Sequence, residues 1–91
     1  IRQWQICAVV ETCDADGNAV LSLRNKFAAG DTVELVGPNL RPFSWEVTPM
    51  EDMDGIPLCE PRTPQMRFRA RLPKQVPPLS FVRHAVELSG R

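Results

Sequence analysis

His84 is the one imidazole in this 91-residue chain, so general acid–base chemistry near neutral pH would have to rest on it. A nucleophile such as Ser80 or a cysteine would need His84 within hydrogen-bond reach and a third group to orient the ring. His84 lies near the chain's end, where backbone tends to fray, which is poor support for that geometry. The sequence contains no glycine-rich phosphate loop, no HExxH and no GxSxG. No catalytic residue is therefore expected in this chain. Its three cysteines, Cys7, Cys13 and Cys59, form no CxxC pair. Zinc ligands usually come in close pairs, so these residues and His84 do not suggest a metal site. Cys7 and Cys59 read as small apolar residues in strands. The odd number implies reduced thiols and a cytoplasmic protein.

The run Asp14-Ala15-Asp16-Gly17-Asn18 invites a calcium reading. An EF-hand loop needs Gly sixth and Glu twelfth; here Gly17 is fourth and Asn25 twelfth. An Asp-Gly hairpin turn is the better account, and the same holds for Asp52-Met53-Asp54-Gly55. Neither a metal nor a cofactor is expected.

Arg67, Arg69 and Arg71 are the side chains best placed for recognition. On a strand they share one face, about 6–7 Å apart, while Met66, Phe68, Ala70 and Leu72 take the other. Such a ladder suits phosphates or acidic protein surfaces, because each guanidinium fork can bind two oxygens. The competing account pairs the ladder with acids of a neighbouring strand, for example Glu46 or Glu60. Arg62 and Lys74 extend the basic stretch. Net charge is zero, but it is unevenly spread. Glu46, Glu51, Asp52, Asp54 and Glu60 fill an acidic middle, and the cations from Arg62 to Arg83 follow. A dedicated nucleic-acid binder would usually carry more positive charge, so an auxiliary contact is the expectation.

These side chains need short, punctuated strands to hold them. Residues 4–11 (WQICAVVE) predict a first strand apolar on both faces. After the Asp-Gly turn, residues 19–24 alternate as a second. A third spans residues 32–36 and is closed by Gly37-Pro38-Asn39. In the fourth, Phe43, Trp45 and Val47 oppose Ser44, Glu46 and Thr48. Residues 56–59 and 66–72 complete the set. Pro73 to Pro78 is too proline-rich for an interior strand. Leu79 to Arg83 reads as an edge strand or a helical turn. About six short strands with turn chemistry between them predict an all-β fold, a small closed or nearly closed antiparallel β-barrel. Trp4, Phe27, Leu35, Phe43, Trp45 and Phe68 are its expected core, with Phe27 plugging one end.

The length allows one modest domain, expected over residues 1–84, with 85–91 a flexible tail. Its apolar runs are too short for a membrane-spanning helix, and no secretory pattern opens the chain. A start at Ile1 that runs straight into a strand pattern suggests a domain from the end of a longer protein.

The run from Arg24 to Asn39 carries the most specific pattern, a strand end, a compact turn and a Gly-Asp corner. Its residues Asn25, Phe27, Gly30, Asp31, Gly37 and Pro38 resemble the signature of the C-terminal domain of peptidase family U32, the collagenase-like peptidases. Met50 through Gly55, Pro64-Gln65 and the Val76-Pro77-Pro78-Leu79 segment extend the likeness from about Ile6 to Arg83. The resemblance implies a non-catalytic accessory β-barrel beside a catalytic domain of the same parent chain, which carries the working cysteines. The barrel would aid macromolecular substrate binding or dock on that domain. Related members are described as proteases or as enzymes that hydroxylate tRNA or rRNA, so an RNA-contacting module and a purely structural cap are the alternatives. Expected partners are the parent's catalytic domain and a protein or RNA substrate, with no membrane involved. The tail and the three cysteines depart from the family's pattern.

Overall fold

The computed structural model describes residues 2–87. Its elements are β1 (Arg2–Cys13), β2 (Asn18–Leu23), β3 (Thr32–Gly37), β4 (Leu40–Glu46), β5 (Met50–Asp52), β6 (Pro57–Leu58), β7 (Arg67–Arg71) and β8 (Phe81–Glu87). They form one antiparallel sheet in the order β4-β3-β8-β1-β2-β7-β5-β6. The all-β expectation holds, with eight strands in place of about six. Met50–Asp52 adds a strand paired with β6 and β7, ahead of the turn expected at Asp52–Gly55.

The sheet curls without closing through a complete hydrogen-bonded ladder. β4 pairs only with β3, whereas β5, which begins after three intervening residues, pairs with β7 and β6. Residues 47–49 thus carry the chain from one end of the sheet to the other. Pro49 has no N–H to donate, which limits any ladder across this crossing.

The interior is filled as the two-residue period requires. Leu21, Leu35, Phe68 and Val82 are fully buried, and Phe27 and Trp45 nearly so. Phe27 and Phe68 meet in a tilted ring pair 5.8 Å apart, an arrangement worth more than its buried area alone. Phe43 is half-buried against this core, with the Lys74 ammonium 4.5 Å from its ring centre.

Trp4 corrects the expected core, since it points outward. Ile6 pairs with Arg83 and Ala8 with Val82, leaving Cys7 as an extra residue in β1. This bulge shifts the side-chain alternation by one. Cys7, Ala8 and Val10 are buried, while Trp4 and Ile6 remain 44% and 43% exposed.

β8 corrects a second expectation, for it lies inside the sheet between β3 and β1 and not at an edge. It also takes residues 85–87 out of the expected tail, with Glu87 paired to Arg2; the remainder, 88–91, lies outside the described residues. β2 pairing begins at Ala8 and β3 pairing ends at Arg83, so Arg2–Gln5 and His84–Glu87 form a two-stranded ribbon.

Candidate functional site

Three regions hold the residues with functional potential. The first is the corner at residues 25–31. Gly30 adopts φ +96°, which a side chain would disfavour, and Asp31 accepts a hydrogen bond from the Ala28 N–H at 2.9 Å. Gly30 N donates to the Val47 carbonyl and Val47 N to that of Asp31, each at 2.8 Å. Ala29 N donates to the Cys59 carbonyl, just past β6, also at 2.8 Å. One turn therefore ties down both ends of the open sheet while Phe27 fills the space beneath. Asn25 holds the bulge: its side-chain amide donates to the Ile6 carbonyl at 2.7 Å, and the Arg24 and Asn25 amides both donate to that of Cys7. Gly37 lies so close to Ser80 that an added Cβ would sit 2.1 Å from the hydroxyl oxygen. Pro38 is exposed in the turn that follows. These six residues build the frame.

The second region is the outer surface at the base of the ribbon. Arg83 stacks over the Trp4 ring at 4.0 Å and also binds Glu34, with Nε 2.7 Å from the carboxylate. Cation–π contact and ion pair fix the guanidinium from two sides. Beside it stands exposed Ile6.

The third is the arginine strand. β7 alternates as expected, with Arg67, Arg69 and Arg71 exposed and Phe68 and Ala70 buried. Neither expected acid closes the ladder. Arg67 pairs with Glu11 at 3.0 Å, and Glu60 binds Arg62 at 3.1 Å. Among the described residues, Arg69 and Arg71 make no ion pair. Arg71 Nε donates a long 3.4 Å hydrogen bond to the Asp16 carbonyl.

No hydrogen bond among the described residues joins His84 to a nucleophile. The Ser80 hydroxyl is buried and donates to the Pro77 carbonyl at 2.7 Å. Burial, and next the Asp31 carboxylate, push the Cys7 thiol up from 9.0 to about 11, which keeps it neutral. Cys59 is exposed and so is not the strand-buried residue expected. Among the described residues, no three His, Cys, Asp or Glu side chains gather to share a metal ion, and no helix is long and apolar enough to cross a membrane.

The pattern missed Trp4 and Ile6 as surface residues. No local signal marks the bulge, because Ile6 to Val10 is a continuous apolar run in which a one-residue shift of faces leaves no trace.

This geometry has counterparts in known proteins. Two crystal structures of the C-terminal domain of a Geobacillus thermoleovorans protein, described as a U32 peptidase, superpose on the chain with a TM-score of 0.82 each. The first, a selenomethionine variant, is 27% identical over 88% of this chain and 99% of its own. The second is 26% identical over 86% and 89%. No curated protein sequence matches. The family model for the peptidase family U32 C-terminal domain matches residues 2–83, and the chain belongs to that family.

Proposed function

We propose that this chain is a non-catalytic accessory domain that docks on the remaining part of a longer U32 peptidase chain through Trp4, Ile6 and Arg83. The observation that carries this reading is the bulge at Cys7. Without the extra residue, Trp4 would fall in register with the buried side of β1; with it, a tryptophan and an isoleucine face outward. Leaving nearly half of each of these large apolar side chains in water forgoes burial that the isolated domain could have gained, and Asn25 holds the arrangement in place. Tryptophan and arginine are also the residue types that dominate binding energy at interfaces. Arg83 is already oriented by Glu34 and Trp4, so little side-chain entropy is lost when it is covered. In this reading the exposed arginines of β7, which are not part of the docking surface, stay free for the parent's macromolecular substrate.

The test mixes this chain with its parent protein truncated before the domain. Saturable binding that W4A/I6A weakens at least tenfold, and that R69Q/R71Q leaves unchanged, is expected. Equal binding by W4A/I6A would overturn the assignment of this surface.

A further inference from the structure

The cations around β7 differ in their partners. Glu11 holds Arg67 and Glu60 holds Arg62, while Arg24, beside Arg67 across the β2–β7 register, donates to the Ser22 hydroxyl and makes no ion pair among the described residues. Arg69 and Arg71 have no carboxylate partner among the described residues, and they line a groove of about 480 Å³ with Asn18, Val20, Pro49 and Glu51.

We propose that this groove binds an extended acidic peptide whose carboxylates at alternate positions are gripped by Arg69 and Arg71. Alternate residues of any extended chain repeat at about 6–7 Å, so a peptide lying along β7 matches the spacing of the two arginines with no change of conformation. Each guanidinium can take a carboxylate through two parallel hydrogen bonds. Val20 and Pro49 give the groove an apolar wall for the methylenes of the bound side chains. Glu51 stands directly opposite Arg69 in the β5–β7 register and on the same face, so it limits the negative charge the groove accepts there, and Arg71 is the freer grip. The site therefore favours a short acidic pair over a long polyanion. A nucleic-acid strand fits less well. It needs a continuous track of unpaired cations, whereas Glu11 neutralises Arg67 and so interrupts the run between Arg24 and Arg69, and the chain carries no net charge. Given the accessory role proposed above, this peptide class describes the parent's substrate; the binding itself does not depend on docking.

The test is fluorescence anisotropy of the 91-residue chain with a labelled peptide of alternating glutamate and valine at low salt. Its controls are a glutamine–valine peptide and a single-stranded oligouridylate of equal charge. Saturable binding of the acidic peptide is expected. It should weaken about tenfold or more in R69Q/R71Q and hold within about twofold in R67Q and W4A/I6A. Both arginines are exposed, so the double variant should keep its thermal melt, which verifies that any loss is local. No saturable binding, an equal loss in R67Q, or tighter binding of the oligouridylate would overturn the proposal. Loss in W4A/I6A would also overturn it, because that variant touches only the docking surface.

Discussion

The corner at residues 25–31 and the strand at residues 67–71 are both rich in polar side chains, and they use them in opposite ways. In the corner, Asn25 and Asp31 bind backbone amides and carbonyls of the same chain, and the turn's own N–H groups latch both ends of the sheet. On the strand, Arg67 is satisfied within the domain while Arg69 and Arg71 are not. The comparison separates a frame from a strand face that keeps two arginines without ion pairs among the described residues. The most recognisable stretch of the sequence serves the frame.

The largest expected effect lies beneath the corner. Phe68→Ala empties the space against Phe27 and should lower unfolding free energy by about 3–5 kcal/mol in denaturant titrations. Should Arg69→Ala cost as much, the division between frame and surface would fail. Next comes alkaline pH. Because the folded Cys7 thiol titrates near 11 and the unfolded one near 9.0, its contribution is full below pH 9.0 and is lost as pH rises through about 11. The upper bound of that loss is about 3 kcal/mol, and Cys7→Ala should lack this step. In the native protein a thiol reagent should modify exposed Cys59 well before Cys7.

Asn25→Ala leaves the Ile6 carbonyl without its 2.7 Å donor and should cost about 1–2 kcal/mol, with a change in Trp4 fluorescence as the bulge loosens. Unchanged fluorescence would mean that Asn25 does not hold the outward turn of Trp4. Gly30→Ala should cost about 1–2 kcal/mol through backbone strain alone, since nothing lies within 4 Å of the added methyl. Gly17→Ala should cost more, because its Cβ would also meet the Leu72 carbonyl at 2.4 Å. The smallest effect is on β7 itself: Arg69→Gln should move stability by no more than about 0.5 kcal/mol, and Arg67→Gln by less than about 1 kcal/mol.

Much of the frame is legible in the sequence because it follows local rules. The alternation around Phe43, Trp45 and Val47 and around Phe68 and Ala70 places those strands, and the Asp-Gly pairs mark their turns. What escapes is set by distant partners. β8 sits between β1 and β3 because Val82 pairs with both Ala8 and Leu35, a placement that no local pattern in residues 79–83 announces. The outward turn of Trp4 comes from one unpaired residue, and its cause is a carbonyl held by an asparagine far along the chain. The arginine ladder was readable as a face, but which of its members acids neutralise depended on where Glu11 and Glu60 finished.

Hydrogen–deuterium exchange, run on this chain alone and on the full-length parent, tests the docking claim most directly. Slowed exchange at residues 2–6 and 83–87 in the parent, with the frame at 25–31 exchanging alike in both, is the predicted result. Equal exchange along the ribbon in the two proteins would contradict it.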